Sequence, residues 1–143
     1  MKISYVMNVL NGEPFIKYQL ESIYKFAHQI IIVEGAYEKY AHAANDNGSS
    51  LDNTLSIISN YPDPDRKITL VKNNNKLWPE RKEMCNAFLK PVTGDVVWQI
   101  DADEFYHDWV HEYIFKLFDA DDKLDKVSFC TRLSEDKLFS FLK

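Results

Sequence analysis

The sequence predicts an α/β fold, in which a mostly parallel central sheet is covered by helices on both faces. Short segments rich in β-branched residues alternate with segments whose apolar residues recur at helical spacing, an order typical of β-α-β units. One segment, residues 30–33, is aliphatic without interruption, as in strands buried on both faces. With 143 residues, 45% of them hydrophobic, the chain is long enough for a single domain with a real core.

The first half of the chain predicts two strands and two helices. Residues 3–9 form the first strand, which stops at the turn-rich sequence NVLNGEP, and residues 15–27 carry the apolar stripe of a helix. Residues 29–35 form the second strand, and residues 36–48, which lack periodicity, form a long surface loop. Ser49, followed three positions later by Asp52, resembles a capping box that starts the next helix.

The second half continues the alternation. It predicts a strand over residues 68–71, a helix over 79–89 with proline in its first turn, and a strand over 96–100. The helix over 79–89 turns Met84, Cys85, Phe88 and Leu89 inward. A helix over 106–118 buries its apolar positions, which are Trp109, Val110, Tyr113, Ile114, Leu117 and Phe118. Residues 127–132 suit a further strand, and the last residues suit a short helix.

Composition and charge exclude several classes of function. The formal net charge is −5 and no stretch gathers lysine and arginine, which argues against a nucleic-acid partner. No apolar run is long enough to span a bilayer, and the N-terminus lacks the features of a secretory signal, so we expect a cytoplasmic protein. Cys85 and Cys130 have no spacing typical of a zinc site, and we expect two buried thiols.

Two acidic residues follow the strand over 96–100, at the sheet edge where ligands of open α/β sheets bind. Asp101 and Asp103 would repel each other there unless a cation lay between them. Hard carboxylate oxygens suit Mg²⁺ or Mn²⁺, which proteins bind through one or two carboxylates together with substrate phosphates. The alternative is a plain polar strand end, with Asp103 or Glu104 near the N-terminus of the next helix.

Four segments resemble, in order, the donor-binding half of a family 2 type glycosyltransferase. ISYVMNVLNGEPFIKYQLESI resembles the opening strand, loop and helix of that family, and IIIVEGA its second strand, which ends in an acidic residue. NGSSLDNTLSII resembles the Gly-Ser-Thr-Asp-x-Thr segment, with Gly48, Ser49, Asp52 and Thr54 as counterparts. ERKEMCNAFLKPVTGDVVWQIDADEF matches best, because a basic residue, Asn-Ala, Gly-Asp, a strand and Asp-Ala-Asp follow in the order of the family.

The resemblance implies a GT-A fold, a Rossmann-like three-layer α/β/α sandwich, and transfer from a nucleoside-diphosphate sugar with Mn²⁺ or Mg²⁺ as cofactor. The donor would be a UDP- or GDP-sugar, and the acceptor is unidentified. By analogy with the family, Asp103 binds the metal, and Asp101 contacts the metal or the ribose. The other donor-binding residues implied are Val9, Asn11, Glu34, which contacts the base, and Arg81, or Lys82 in its place, near the base or diphosphate.

The sequence departs from the family pattern in two places. In the family the acidic strand end runs almost directly into the Gly-Ser segment, whereas here residues 36–47, AYEKYAHAANDN, intervene. The chain also ends soon after the acceptor-binding half of the family begins, and that half supplies the general base of inverting enzymes. No base is therefore singled out among Glu104, His107, Asp108 and Glu135. A nucleotide-sugar-binding module without transferase activity of its own is the alternative.

Histidine and aromatic residues near the same edge suggest further hypotheses. His107 and His111, four apart on a predicted helix, would make a zinc hydrolase site with Asp103, although two solvated histidines are the favoured interpretation. Trp78, in a loop on the ligand edge, is a candidate for stacking on a sugar, whereas Trp98 suits the core. Residues 37 and 40, both tyrosines, either close over a sugar or anchor the inserted loop.

Overall fold

The computed structural model describes residues 1–121, 123–130 and 140–142. The chain divides into two compact units, Met1–His107 and Asp108–Lys143. The expectation of a single domain over residues 1–143 stays a prediction. None of the helices in the described ranges is long and apolar enough to cross a bilayer.

The first unit is built on a four-stranded parallel sheet. Its strands are β1 (Ile3–Val9), β2 (Gln29–Glu34), β3 (Ile68–Val71) and β4 (Val96–Gln99), in the spatial order β3-β2-β1-β4. The aliphatic residues 30–33 of β2 are fully buried because the strand lies inside the sheet and both of its faces are covered. The prediction of a mostly parallel α/β fold is confirmed.

Helices cover both faces of this sheet. Helix α1 (Glu13–Ile23) and helix α2 (Thr54–Asn60) pack against each other on the face that carries Val9. On the other face, α3 (Arg81–Asn86) continues into a 3-10 turn over Ala87–Leu89. There Met84, with Phe88, packs against a cluster that contains Val6 and Ile31. Three layers result, as predicted.

A partly buried polar network joins the strands at the amino end of the sheet. Gln29 accepts hydrogen bonds at its side-chain oxygen from the Ser4 hydroxyl at 3.1 Å and from the Thr93 amide at 3.0 Å. Its side-chain amide donates to the carbonyl oxygen of Pro91 at 2.9 Å. The Ser4 hydroxyl in turn accepts the amide N–H of Gly94 at 3.0 Å. These bonds fix the turn that leads into β4.

The helix boundaries correct several details of the sequence analysis. Helix α1 begins two residues earlier than expected, because Gly12 serves as its N-cap and Pro14 is tolerated in the first turn. The capping box at Ser49 is wrong: α2 begins at Thr54, and the Ser49 hydroxyl donates to Asn47 Oδ1 at 2.7 Å. Leu89 is wrong as an inward residue, because the 3-10 turn leaves it 61% exposed.

Strand β4 is only partly buried, although three of its four residues, Val96, Val97 and Trp98, are apolar. Trp98 is buried, with its ring stacked on Tyr5 at a centroid distance of 5.3 Å, which confirms its place in the core. Val97 and Gln99 are exposed. Successive side chains of a strand point to opposite faces of the sheet, so Trp98 shares the covered face with Tyr5, whereas Val97 and Gln99 lie on the other face, which is less covered at β4.

The second unit contains helix α4 (Asp108–Ala120) and a two-stranded antiparallel sheet of β5 (Ser128–Cys130) and β6 (Ser140–Leu142). The strand predicted near residue 128 is confirmed, whereas the predicted terminal helix is wrong at Ser140–Leu142. In α4 the buried residues are Val110, His111 and Ile114. The expectation of a solvated histidine is wrong for His111, which is 0% exposed. Trp109 and Tyr113 are wrong as buried positions, because they are 49% and 39% exposed.

Candidate functional site

A cleft of about 320 Å³ lies in the first unit, at the carboxyl ends of the parallel strands. Its size falls within the range of small-molecule pockets, which is roughly 300–1,000 Å³. The position is where ligands of open α/β sheets bind. Its lining residues are Asn8, Leu10, Gly35, Ala36, Tyr37, Tyr40, Arg81, Met84, Cys85, Gln99 and Asp101.

Strand register explains which side chains reach the cleft. Alternate residues of a strand share a face of the sheet, so Asn8 lies on the same face as Val6. Val6 pairs with Gln99 of β4 in the strand register, so Gln99 lies on that face too. Asp101, two residues after Gln99, continues toward that side. Helix α3, which covers this face, contributes Arg81 and, one turn later, Cys85. The sheet and α3 thus form the two walls of the cleft.

The Asn8 side chain carries an unused hydrogen-bond acceptor at the cleft. Its Nδ2 donates to the Cys85 thiol at 3.6 Å. Its Oδ1 is buried and has no hydrogen-bond partner within the described residues. A buried acceptor without a partner costs free energy, so a donor group on a ligand would be favoured there. Cys85 is half-buried beside it, which corrects the expectation of a buried thiol.

The acidic turn after β4 contains the carboxylates of Asp101, Asp103 and Glu104, which differ in their surroundings. Glu104 Oε2 accepts the amide N–H of Asp101 at 3.0 Å, and the Glu104 amide donates to the Asp101 carbonyl oxygen at 3.1 Å. Glu104 therefore closes the turn. Asp101 lines the cleft, and Asp103 is exposed outside the lining residues. Burial, together with the charges of Glu104 and Asp101, raises the pKa of Tyr106 to about 12.

The chemistry of this turn fits a hard divalent cation. Asp101 and Asp103 accept no hydrogen bond at their side chains from any described residue, so their oxygens remain available as ligands. Two carboxylates completed by phosphate and water oxygens are a typical Mg²⁺ or Mn²⁺ donor set. No group of three or more His, Cys, Asp or Glu in the described ranges is placed to hold a metal, so the cluster required for the zinc hydrolase does not form.

Glu34 lies on the opposite face of the sheet from Asn8. It is opposite Val9 in the register, and its Oε1 accepts the amide N–H of Ser50 at 2.7 Å. Its Oε2 is buried without a hydrogen-bond partner among the described residues. Glu34 is only 1% exposed, and its neighbours Gly35 and Ala36 line the cleft in its place.

Val9 and Asn11 also lie outside the cleft lining. Val9 is 2% exposed, and its carbonyl oxygen accepts the amide N–H of Gly35 at 3.0 Å. Asn11 adopts a left-handed backbone conformation with φ of 54°. Its side chain donates to the Ala43 carbonyl oxygen at 2.8 Å and accepts the Leu51 amide N–H at 2.7 Å. Of the predicted donor-binding residues, the structure brings Arg81 and Asp101 together in the cleft.

Residues 11–13 and 50–54 form a loop clasp, in which each segment satisfies the backbone donors of the other. The Gly12 amide donates to the Thr54 hydroxyl at 2.7 Å, and the Glu13 amide donates to the Asp52 carboxylate at 3.0 Å. In return, the Glu13 carboxylate accepts the backbone and side-chain N–H groups of Asn53. Neither α1 nor α2 has a side-chain cap from its own N-cap residue, so the clasp caps both helices across the chain.

The inserted segment closes on itself and returns the chain to the end of β2. Residues 38–43 form a 3-10 turn, and the Asn45 side chain donates to the Ser50 carbonyl oxygen at 2.8 Å. Gly48, with φ of 80°, accepts the Ala36 amide N–H at its carbonyl oxygen at 2.8 Å. The insertion therefore leaves Ser50 beside Glu34.

Trp78 is wrong as a sugar-stacking residue. It is 8% exposed within the cluster on the α3 face, and its indole N–H donates to the Glu34 carbonyl oxygen at 3.2 Å. The sequence analysis named neither Asn8 nor Cys85 as a ligand-binding residue, although both line the cleft. The available signal for Asn8 was a polar side chain near the carboxyl end of a mostly apolar strand.

Comparisons with known proteins agree with this fold. A family model described as glycosyl transferase family 2 matches residues 4–137. Similar solved structures include the crystal structure of S. aureus TarS 1-349, with a TM-score of 0.62 and 19% identity. The match covers 84% of this chain and 33% of the TarS chain, so this chain spans about a third of its length. A search of curated protein sequences gave no match. The GT-A fold and the family resemblance are confirmed.

Proposed function

Because the chain belongs to glycosyl transferase family 2, we propose that its cleft binds a nucleoside-diphosphate sugar and that the sugar is transferred to an acceptor. The observation that carries the proposal is the meeting of Asp101, Arg81 and the unpaired Asn8 Oδ1 around one cleft. These groups supply a carboxylate, a cation and a neutral acceptor. A nucleotide offers phosphate oxygens, ribose hydroxyls and base N–H groups to match them.

Charge decides how the two ends of the donor lie. A diphosphate would be repelled by Asp101 and Asp103 alone, so these residues would hold a divalent cation, Mn²⁺ or Mg²⁺, at the acidic turn. The cation would neutralise the negative charge that develops on the departing diphosphate. The nucleoside then extends into the cleft, toward α3 and Asn8. Arg81, on α3, would donate to the base or to the diphosphate.

Val9, Asn11 and Glu34 would contribute to donor binding indirectly, by holding the loops around the cleft. The Val9 carbonyl oxygen and the Glu34 carboxylate bind backbone amides of Gly35 and Ser50. Asn11 ties the end of β1 to the loop before α2. These contacts support a framework role, because the three side chains do not line the cleft.

Calorimetry tests the binding of donor and metal. UDP and GDP are titrated into the protein with and without Mn²⁺, using wild type, Asp103→Ala and the control Asp46→Ala, which removes an exposed carboxylate outside the cleft lining. We expect Mn²⁺ to tighten nucleotide binding on the order of tenfold or more, because it screens the diphosphate from the acidic turn. Asp103→Ala should abolish this gain and Asp46→Ala should keep it. Binding that ignores both the metal and Asp103 would contradict the proposal.

The thiol of Cys85 reports whether the nucleotide occupies this cleft. The chain has two cysteines, so a Cys130→Ser background leaves Cys85 as the single target of a thiol reagent. We expect saturating nucleotide and Mn²⁺ to slow alkylation of Cys85, since the thiol lines the cleft. An unchanged alkylation rate at saturation would move the binding site elsewhere.

The alternative, a nucleotide-sugar-binding module, shares the donor site and differs in turnover. The purified chain is incubated with UDP- or GDP-sugars and Mn²⁺, and release of nucleoside diphosphate is followed. Donor hydrolysis or transfer supports the transferase, whereas tight donor binding without release supports the module. The acceptor is unassigned, and placement in the cytoplasm stays a prediction.

A further inference from the structure

Two tyrosines of the inserted segment line the cleft. Tyr37 and Tyr40 lie in an edge-to-face arrangement, with ring centroids 5.0 Å apart and an interplanar angle of 85°. Both face the space that is also lined by Arg81 and Asp101. They belong to the stretch by which this sequence departs from the pattern it otherwise resembles. The family-like motifs of the sequence include neither tyrosine, so the family resemblance assigns no role to either ring.

Tyr37 is anchored to the core, and it fixes the position of Tyr40. The backbone of Tyr37 pairs with Trp78, and its ring packs against the buried cluster of the α3 face. Burial raises the pKa of the Tyr37 hydroxyl, with a further contribution from neighbouring Tyr40. The Tyr40 amide donates to the Tyr37 carbonyl oxygen at 2.8 Å, at the start of the 3-10 turn.

Tyr40 is an exposed residue, in contrast to Tyr37, which is half-buried. It remains 41% exposed while lining the cleft, although a residue that served only to anchor the loop would gain by burying its ring. Aromatic rings at the edge of a pocket bind planar ligand groups by stacking, at a low cost in side-chain entropy because only two torsions are fixed. Tyr37 thus secures the loop, and Tyr40 lines the cleft with a ring that remains partly exposed.

We propose that Tyr40, supported by the ring of Tyr37, is the stacking wall for the nucleobase of the donor and a determinant of donor affinity. This rests on the proposed function, which places the diphosphate at Asp101 and Asp103 and the nucleoside deeper in the cleft. The base then lies between Tyr40 and the polar group of Asn8, whose buried Oδ1 accepts a base N–H. A stacked face and a hydrogen-bonded edge together hold a planar heterocycle.

The test compares ligands with and without a base. Affinities of UDP, GDP and pyrophosphate are measured by calorimetry in Mn²⁺ for wild type, Tyr40→Phe, Tyr40→Ala and the control Tyr18→Ala, which removes an exposed tyrosine of α1. We expect Tyr40→Ala to weaken UDP and GDP by about tenfold, within the range that base–aromatic stacking gives. Tyr40→Phe, which keeps the ring, and Tyr18→Ala should bind within about twofold of wild type. Pyrophosphate affinity should not change in any variant.

The outcomes separate this inference from the function on which it rests. Wild type that binds no nucleotide would overturn both. Wild type that binds UDP or GDP, together with Tyr40→Ala that binds as tightly, would overturn the stacking role alone. An equal loss for pyrophosphate would also overturn it, because a general change in the cleft would then explain the effect. If Tyr40→Ala fails to fold, Tyr40→Leu, which keeps apolar bulk without an aromatic face, is measured under the same criteria.

Discussion

We predict that the hydroxyl group of Thr54, in the loop clasp, makes a measurable contribution to the free energy of unfolding. Thr54 is fully buried, and its hydroxyl accepts the Gly12 amide N–H at 2.7 Å while it donates to the Asp52 carboxylate. Thr54→Val keeps the shape of the side chain and removes both bonds. The Gly12 amide, at the start of α1, is then left buried without a partner.

The expected loss in the free energy of unfolding is about 2–3 kcal/mol. An unsatisfied buried donor costs about 1–3 kcal/mol, and this term dominates. The lost bond to Asp52 adds less, because the carboxylate is half-buried and water replaces part of the interaction. No cavity term enters, since valine fills the same volume. A loss of this size should lower Tm by roughly 6–12 °C in a chain of this length.

Urea unfolding followed by circular dichroism measures the change. The matched control is Thr69→Val in β3, because the hydroxyl of Thr69 makes no hydrogen bond within the described residues. Thr69→Val should stay within about 0.5 kcal/mol of wild type. In an Asp52→Ala background, Thr54→Val should cost less than it does alone, since the two side chains are coupled. A Thr54→Val loss no larger than that of the control would refute the clasp as a stabilising element.

Three further predictions test other parts of the structure. Burial would raise the pKa of Asp63, but hydrogen bonds from Ile68, Tyr24 and Lys67 outweigh it and hold the pKa below its ordinary value of 3.8. The stability that Asp63 contributes is therefore complete above that pH and is lost as the pH falls through the lowered pKa, so the Tm of Asp63→Asn should depend less on pH in acid than the Tm of wild type. Gly94→Ala should destabilise by roughly 1–3 kcal/mol in urea unfolding, because a Cβ there would lie 2.5 Å from Ser4 Oγ. Glu34→Gln should lower Tm, because it weakens the hydrogen bond to the Ser50 amide. It should change the calorimetric Kd for UDP or GDP by less than about twofold, because Glu34 lies outside the cleft lining. Weaker nucleotide binding at an unchanged Tm would contradict this prediction.

The order of elements in the first unit was predictable because hydrophobic periodicity is a local property. The uninterrupted aliphatic residues 30–33 indicate a strand buried on both faces, and the helical spacing of apolar residues after Gly12 indicates α1. The exposure of Val97 in β4 was not predictable, because it depends on which elements cover that face of the strand in space. The same limit applies to Trp109 of α4, where the apolar sequence overstates burial.

The candidate site was predictable only in part. Arg81 and Asp101 were identified from their places in the motif order, and register brings them to one cleft. The capping box at Ser49 failed because the partners of Asp52 and Thr54 lie in the loop before α1, about forty positions away, and no local pattern reveals such pairing. The prediction that Trp78 stacks on a sugar was wrong for a related reason: its indole N–H donates to the carbonyl oxygen of Glu34 in β2, a contact that the local sequence does not reveal.

The two faces of the sheet separate the framework from the residues that would read the ligand. Motif residues such as Asn11, Glu34 and Thr54 bind backbone amides of neighbouring loops on the side of α1 and α2. The cleft on the α3 side is lined by Arg81 and Asp101, which belong to the motifs, and also by Tyr40 of the inserted segment, which belongs to none. Loss of the Glu34 carboxylate or the Thr54 hydroxyl would leave a buried backbone donor unpaired, which lowers the free energy of unfolding. The side chains of Tyr40 and Arg81 line the cleft, so we expect their substitution to change ligand binding more than stability, whereas substitution of Glu34 or Thr54 should change stability more than binding.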